Sequence, residues 1–233
     1  MSFSGPGRLS SIVCLWLSSC VASLFDSVYI EYFRYGIQID GHYYRCKFVD
    51  VKCVYCNYGM RTLSMANGTA FYYCNFHGCD VGFGHSLNWY ADTSIYFESC
   101  YFQGDDICIE TPLGQMLRIN QCYFEANGCI VDIYRTSTYK TGLILSIENS
   151  YFYISVPSLI KQNIPSGFTL TLVANNNLVG NTMDNSYFVN VESGDIIIKA
   201  ENNKIPNPLT NFSICSKTPL KTSYFNNDFS DTN

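Results

Sequence analysis

The chain has 233 residues and a formal net charge of −5, and 47% of its residues are hydrophobic and 16% aromatic. This composition predicts one domain with a sizeable core, and it argues against a nucleic-acid partner because no basic stripe is available to neutralise phosphates. No apolar run reaches the roughly 18–20 residues that span a bilayer as a helix, so no membrane span is expected.

The first segment permits two interpretations. Residues 8–23 contain Arg8, an apolar stretch over residues 12–17 and then Val21-Ala22-Ser23, which is typical of a secretory signal. The same residues fit the first coil of a repeating fold, because the pattern from residue 20 to residue 40 continues without a break. We favour the coil, and we expect residues 1–9 to lie outside the ordered coils.

A small residue, one spacer and Phe then recur along the chain. The six copies are Cys46-Lys47-Phe48, Cys74-Asn75-Phe76, Cys100-Tyr101-Phe102, Cys122-Tyr123-Phe124, Ser150-Tyr151-Phe152 and Ser186-Tyr187-Phe188. The first five copies are 28, 26, 22 and 28 residues apart. Repeats of this length are typical of stacked units that are each too small to bury a core alone.

Each repeat contains two short strands. Apolar residues alternate before the small residue, as in Ile95-Tyr96-Phe97, and again after the Phe, as in Ile107-Cys108-Ile109. Gly, Asp and Asn mark the bends between them. Weaker repeats precede and follow, at residues 25–40, 170–178, 196–205 and 222–225. We therefore predict an all-β, right-handed single-stranded parallel β-helix of roughly eight or nine coils, in one domain over residues 1–233 with a polar tail at residues 226–233.

This coil pattern, with tracts such as the residues 29–37 (YIEYFRYGI), resembles the pectate-lyase-like superfamily over residues 10–230. Within that superfamily it is most similar to phage tailspikes and tail-associated polysaccharide depolymerases. The resemblance implies a bacterial surface polysaccharide as ligand, a homotrimer, and a place in the phage virion after synthesis in the host cytoplasm. A structural rod without sugar chemistry and a secreted pectin-type glycoside hydrolase are the alternatives, because the fold alone does not choose among them.

The twelve cysteines are expected to be reduced core residues, made in a reducing cytoplasm. Cys46, Cys74, Cys100 and Cys122 fill one predicted coil position, and Cys79, Cys108 and Cys129 lie in the next strand region. Cys53-Val54-Tyr55-Cys56 is a lone CxxC, and the histidines at 42, 77 and 85 do not complete a metal-site spacing. We expect no metal and no cofactor.

The spacer of each copy points away from its two neighbours, because strand side chains alternate. If the small residue and Phe are inside, the outer column reads Lys47, Asn75, Tyr101, Tyr123 and Tyr151. Aromatic faces pack against sugar rings and the hydroxyl adds a hydrogen bond, so the three tyrosines are predicted to bind substrate. A subunit interface and the ordinary preference of Tyr for strands are the other interpretations.

The bend after each Phe supplies carboxylates. One position past Phe the sequence has His77, Gln103 and Glu125, and four positions past it has Asp80 and Asp106. Glycoside hydrolysis needs two carboxyl groups, and crowded carboxylates raise one another's pKa. The predicted catalytic residues are Asp105, Asp106 and Glu125, and the predicted substrate-binding residues are His77, Asp80 and Gln103. Hydrogen bonding to a glycan without catalysis and ordinary turn chemistry are the alternatives.

Gln103-Gly104-Asp105-Asp106 also resembles the Gly-Asp-Asp motif of polygalacturonases, which implies that Asp105 and Asp106 form the catalytic pair. The Gly-His-Gly and Arg-Ile-Lys motifs of that family are missing downstream. A lyase would need a Lys or Arg base beside an acidic metal-binding cluster, but the 14 Lys and Arg residues do not gather near these bends. Whether the chain is an enzyme stays open, and a hydrolase is the favoured class if it is one.

Overall fold

The computed structural model of the chain is an all-parallel β-solenoid of about seven turns. It describes residues 1–63, 66–85, 94–111, 116–125, 127–134, 143–153, 156–164, 166–180, 187–204 and 213–227. In this part of the chain 67% of residues lie in strands and none in a helix, which confirms the all-β parallel fold. No helix of the described residues is long and apolar enough to cross a membrane.

The described residues form 26 short strands. In chain order they are β1 (Ser2–Ser4), β2 (Val13–Leu17), β3 (Cys20–Val21), β4 (Leu24–Glu31), β5 (Tyr35–Ile39), β6 (Tyr43–Tyr44), β7 (Lys47–Val54), β8 (Tyr58–Thr62), β9 (Ala66–Tyr72), β10 (Asn75–His77), β11 (Val81–His85), β12 (Ser94–Glu98), β13 (Tyr101–Gln103), β14 (Ile107–Thr111), β15 (Met116–Asn120), β16 (Tyr123–Glu125), β17 (Cys129–Tyr134), β18 (Leu143–Glu148), β19 (Tyr151–Tyr153), β20 (Ser158–Asn163), β21 (Thr169–Asn175), β22 (Leu178–Val179), β23 (Tyr187–Ser193), β24 (Asp195–Glu201), β25 (Ser213–Cys215) and β26 (Lys221–Phe225).

Each complete coil has three strand positions, which we call the first, second and third faces. The first two faces belong to one 17-stranded sheet, and the third face is a nine-stranded sheet of β2, β5, β8, β11, β14, β17, β20, β23 and β25. In the two coils of β4 and β7, one long strand supplies both the first and the second face. In the later coils the two faces are separate strands, as in β12 and β13. Seven coils have all three faces, and incomplete coils at both ends account for the nine strands of the third face.

The first and second faces meet at a sharp bend. One residue in each coil has a left-handed backbone there, with φ between 48° and 55°; these residues are Ser27, Asp50, Tyr73, Ser99, Gln121, Asn149, Asn176, Asn202 and Asn226. Four of the nine are Asn, the residue type that tolerates this conformation best after Gly. The bend turns the chain from the first face to the second face. Because it recurs at the same point of each coil, successive coils stack in register.

Phenylalanine rings fill the core in two stacks. Phe25, Phe48, Phe71 and Phe97 stack on the first face, with ring centroids 4.6–4.9 Å apart. On the second face the stack is Phe76, Phe102, Phe124 and Phe152, at 5.1–5.2 Å. The predicted single column was therefore wrong for its first member. Phe48 pairs with Phe71, and the second-face partner of Asn75 is Lys52, not Lys47.

A column of small residues follows the left-handed bend on the inside of the second face. It runs from Cys74, Cys100 and Cys122 through Ser150 to the asparagines Asn177, Asn203 and Asn227. The polar members bond along the axis: the Ser150 N–H donates to Asn177 Oδ1 at 3.0 Å, and the Asn177 N–H donates to Asn203 Oδ1 at 3.1 Å. Each side chain thereby satisfies a backbone N–H that the bend leaves out of the sheet.

All twelve cysteines are unpaired, and ten of them are buried, in agreement with the predicted reduced core. Their predicted alignment was only partly right. Cys46 lies on the first face, where its Sγ is 3.3 Å from Cys20 Sγ, and it does not belong to the column of Cys74. Cys108 aligns with Ile130, one position along the strand from Cys129, because Ile107 is the register partner of Cys129.

The two ends of the chain also differ from expectation. Residues 2–4 form β1, which pairs with residues 29–31 of β4, so the first nine residues are not outside the ordered coils. The apolar residues of β2 pair with β5 as a first rung of the third face. Tyr187 and Phe188 lie on the third face and not in the repeated small-x-Phe position. Ser186 and the tail at residues 228–233 lie outside the described residues.

Candidate functional site

The outer surface of the second face carries a stack of three tyrosines. Phe102, Phe124 and Phe152 point inward, and the residues before them point outward in direct register: Tyr101 with Tyr123, and Tyr123 with Tyr151. The ring centroids of Tyr101 and Tyr123 are 5.1 Å apart with planes at 11°, and those of Tyr123 and Tyr151 are 5.3 Å apart at 25°. The predicted tyrosine column is thus present.

The stacking changes what the tyrosines can offer. Both faces of the Tyr123 ring are covered by its neighbours, and the Tyr151 ring lies against Gly180, where a Cβ would be 2.5 Å from Tyr151 Oη. A sugar ring therefore has no free face of Tyr123 on which to pack, although the sequence predicted such packing. The stack presents ring edges and phenol oxygens to solvent instead.

A second outward column runs beside the tyrosines. His77, Gln103 and Glu125 are in direct register, as predicted, and Tyr153 continues the column beyond Glu125. His77 Nδ1 is 2.9 Å from Gln103 Oε1, and Gln103 Nε2 donates to Glu125 Oε2 at 3.3 Å. The three side chains therefore form one hydrogen-bond chain along the solenoid axis.

Two tyrosines join this chain at its ends. The Tyr101 hydroxyl donates to Glu125 Oε2 at 2.6 Å, and Tyr55 Oη lies 3.3 Å from His77 Nε2. Because the Gln103 amide nitrogen donates to Glu125, its oxygen accepts from His77 Nδ1; when the imidazole is neutral, Nε2 is left to accept from Tyr55. Every donor in the chain points along it, and the direction leads to the carboxylate of Glu125.

Tyr101 and Tyr123 stay protonated well above neutral pH. Partial burial, followed by the hydrogen bond to Glu125, raises the pKa of Tyr101 to about 12. Burial and then the charge of Glu125 raise the pKa of Tyr123 as well. These phenols are therefore neutral hydrogen-bonding groups, and they are not bases.

Asp105 lies in a different environment from the one predicted for a catalytic acid. Its side chain is 1% exposed, and its Oδ1 accepts the backbone N–H of Cys79 at 2.7 Å across the turn between coils. Burial raises the pKa of Asp105 well above its ordinary value, with a further contribution from Asp106. The carboxyl faces the interior and cannot contact a polysaccharide in this structure, so the structure gives it a turn-stabilising position.

Asp80 and Asp106 occupy one turn column, as predicted from their distance to Phe. Asp80 is already engaged: Arg8 Nη1 donates to its Oδ1 at 2.9 Å, and Asn57 Nδ2 donates to its Oδ2. Asp106 is exposed. Of the three predicted catalytic carboxylates, only Asp106 and Glu125 are therefore accessible from solvent.

A shallow groove of about 610 Å³ adjoins the hydrogen-bond chain at Tyr55. Its walls are residues 6–10 on one side and Tyr32, Tyr55 and Gly78 on the other. The rings of Tyr32 and Tyr55 stack 5.5 Å apart, and Tyr55 covers Gly78, where a Cβ would be 2.6 Å from the ring. The groove extends the surface of the second face toward the N-terminal end of the solenoid.

Three residues of this surface were not predicted from the sequence: Tyr55, Tyr153 and Arg8. Tyr153 follows from the rule that found Glu125, because it is one position past Phe152. Tyr55 lies three positions past Lys52, which is the true second-face partner of Asn75. Because the sequence had placed Lys47 in that position, Tyr55 was not recognised as a neighbour of the column. Arg8 had no signal, because it meets Asp80 across 72 residues.

No protein-family model, curated protein or solved structure matches this chain. This surface can form hydrogen bonds with a ligand through a row of phenol, amide, imidazole and carboxylate groups. Proton transfer at a glycosidic bond would require the two accessible carboxylates, Asp106 and Glu125, on consecutive coils.

Proposed function

We propose that the outer surface of the second face binds a bacterial surface polysaccharide, in the manner of a phage tailspike segment. The observation that carries the proposal is the hydrogen-bond chain from Tyr55 to Glu125, which lies beside the stack of Tyr101, Tyr123 and Tyr151. Polar groups repeat along the axis at the rung spacing of about 4.8 Å. A polymer of repeating sugars can make the same kind of hydrogen bond at several points along this surface. A small compact ligand can make it only once or twice.

The binding experiment is affinity electrophoresis in gels that contain capsular polysaccharide or lipopolysaccharide from a panel of bacteria. Tyr123→Ala is expected to weaken binding about twofold to tenfold, because a neutral hydrogen bond contributes about 0.5–1.5 kcal/mol. Glu125→Gln should weaken it further because it removes the charged acceptor at the end of the chain.

The matched control is Tyr96→Ala, because Tyr96 is a half-buried tyrosine on the outer surface of the first face, paired with Tyr72 at 6.1 Å. Binding should be unchanged in this variant. Equal loss in Tyr96→Ala and Tyr123→Ala would place the ligand elsewhere. The proposal would be overturned if none of the gels retards the wild-type protein while its circular dichroism spectrum still shows β-sheet.

Hydrolysis of the same polysaccharide is the finer part of the proposal. Asp106 and Glu125 would act as the acid and the base or nucleophile that glycoside cleavage requires. Asp106→Asn is expected to lower the release of reducing ends by about 10²–10⁴ without loss of binding or folding, because it removes one partner of an acid–base pair. Wild-type protein that binds the polysaccharide but releases no reducing ends would reduce the function to binding.

The homotrimer and the place in a phage virion rest on the resemblance to tailspikes. The mass in solution by light scattering tests the first, and tail or baseplate genes beside the coding sequence would support the second. Trimerisation bears on the binding assay, because tailspike sites often lie in grooves between subunits. The assay is therefore interpreted at the oligomeric state that light scattering measures.

A structural rod is the second candidate, and one observation favours it. The tyrosine rings cover one another, and Glu125 is already occupied by Tyr101 and Gln103. Groups that satisfy one another in this way stabilise a solenoid without any ligand. The rod predicts that Tyr123→Ala lowers the melting temperature and that no polysaccharide is bound.

A further inference from the structure

The accessible charges on the proposed binding surface are negative. Asp106 is exposed, and among the described residues its carboxylate has no hydrogen-bond or ion-pair partner. Glu125 is half-buried, and within the described part of the chain it accepts hydrogen bonds only at Oε2, which leaves Oε1 without a partner. Two carboxylates on consecutive coils thus project a local charge of the same sign as the whole chain, which is −5.

The nearby cations are neutralised. Arg8 is paired with Asp80 at 2.9 Å, and Lys52, two coils before Tyr101 in the tyrosine column, is paired with Asp50 at 3.3 Å. Within the described residues no unpaired Lys or Arg lies in the two outward columns of the second face from residue 75 to residue 153. An anionic ligand therefore finds no free positive partner on this surface.

The direction of the hydrogen bonds favours ligand groups that can donate. Tyr101 gives its only proton to Glu125, and His77 gives its Nδ1 proton to Gln103; with a neutral imidazole, Tyr55 gives its proton to His77 Nε2. The free positions that remain on Glu125, Asp106 and the phenol oxygen of Tyr101 are lone pairs. Hydroxyl and ammonium groups of a ligand can donate to these lone pairs, whereas a carboxylate group cannot.

We propose that the surface takes a polysaccharide of neutral or amino sugars and rejects polymers that carry uronate, sialate or phosphate. The inference rests on the proposed polysaccharide binding and specifies its ligand class. Like charges brought together across an interface oppose binding, so Asp106 and Glu125 themselves exclude the anionic polymers. This exclusion also separates this chain from pectin chemistry, because pectin is a polyuronate.

The test compares chitosan oligomers, a neutral glucan and polygalacturonate as probes in affinity electrophoresis at low and at high salt. Chitosan or the neutral glucan should retard the wild-type protein, and polygalacturonate should bind at least about tenfold more weakly. High salt should weaken chitosan binding, because charge attraction is screened.

The double variant Asp80→Asn with Asp106→Asn provides the matched gain of function. It removes two negative charges and releases Arg8 from its partner, so polygalacturonate should now bind. The control is Glu201→Gln with Asp26→Asn, which removes two carboxylates on the first face and should leave the preference unchanged.

The outcomes separate the two levels of the proposal. Wild-type protein that binds polygalacturonate as tightly as the neutral glucan overturns the ligand class and leaves polysaccharide binding intact. Wild-type protein that binds neither the three probes nor any bacterial polysaccharide overturns both. An equal gain of polygalacturonate binding in the control pair would assign the preference to overall charge, and that too would overturn the inference.

Discussion

Asn127 lies one coil beyond Asp105 in the same turn position, and its Oδ1 accepts the Asp105 backbone N–H at 2.9 Å. Asp105 does the same for the coil before it, through the Cys79 N–H. The two side chains differ at their δ2 atom, which is an amide nitrogen in Asn127 and a carboxyl oxygen in Asp105. Asn127 Nδ2 donates to the Phe102 carbonyl at 3.0 Å, whereas Asp105 Oδ2 is buried with no hydrogen-bond partner in the described structure. This turn position thus holds a carboxyl in the coil of Asp105 and an amide in the following coil.

Asp105→Asn should stabilise the protein at neutral pH. The amide would supply the missing donor and remove a group whose ionisation is opposed by burial. Because the folded-state pKa of Asp105 is raised, its stabilisation is complete below the unfolded pKa of about 3.9 and is lost as the pH rises through the folded value. The variant should gain about 1–3 kcal/mol in the free energy of unfolding at neutral pH and lose that pH dependence.

Denaturant unfolding between pH 4 and 8 measures both quantities. Asn127→Asp is the reciprocal control. It should place a buried carboxyl in the next coil, so the free energy of unfolding should again decline as the pH rises. A wild-type stability that is flat over this pH range would contradict the account of Asp105.

Phe124→Ala should cost about 3–5 kcal/mol, because it leaves a cavity in the middle of the second-face stack. Phe124 is fully buried between Phe102 and Phe152, at 5.1 and 5.2 Å. Tyr123→Ala, one residue earlier on the outer surface, should cost much less. Thermal melts followed by circular dichroism give the comparison, and similar losses for both variants would mean that the inner and outer sides of β16 are assigned wrongly.

Two cysteine-to-serine changes should differ sharply. Cys122 is in the small-residue column, where Ser150 already occupies the next coil, and the Cys122 thiol bonds to the Asn120 carbonyl as Ser150 Oγ bonds to that of Glu148. A serine there can keep this bond, so Cys122→Ser should cost less than about 1 kcal/mol.

Cys108→Ser should cost about 1–3 kcal/mol, because the buried hydroxyl would lack a partner. Cys108 is fully buried, and no hydrogen bond of its Sγ exists among the described residues. Chemical unfolding of the two variants in reductant tests the contrast, and a reversed order would refute the column assignment.

The phenol of Tyr101 provides a direct probe of the hydrogen-bond chain. Its pKa is raised to about 12 by partial burial and by the bond to Glu125. Glu125→Gln should lower this pKa, because the charge that opposes ionisation is gone, while the part due to burial persists. A pH titration of ¹³C-labelled tyrosine by NMR resolves the shift, with Tyr73, an exposed tyrosine at a bend outside both outward columns, as the internal reference.

The sequence predicts the parallel coils well because the alternation of side chains and the repeat spacing are both local. It fails at Cys46-Lys47-Phe48 because two phenylalanine stacks on different faces share one pattern, and β7 carries both faces in a single strand. The spacing of the copies therefore matched the wrong stack. Nothing in the local pattern distinguishes the two faces.

The site was predictable where strands fix the register, and it was not predictable at bends. Glu125 and Gln103 follow Phe directly, so their outward direction and alignment could be read from the sequence. Asp105 follows Gly104, whose φ of +66° reverses the chain and ends the alternation of sides. The direction of a side chain after such a residue depends on the turn geometry, and the sequence of Gly-Asp-Asp does not specify which carboxylate turns inward.

The stacking of one coil on the next determines where this protein yields to a pulling force. Among the described residues each coil is hydrogen-bonded only to the coil before and the coil after it, and the first and last strands lie at opposite ends of the stack. A pulling force applied to the two termini loads the outermost coil alone, so the chain should peel away one coil at a time. With coils of 22–28 residues and about 3.5 Å of extended chain per residue, an optical-tweezers trace should rise in a sawtooth with steps of about 80–100 Å, each tooth marking the loss of one rung.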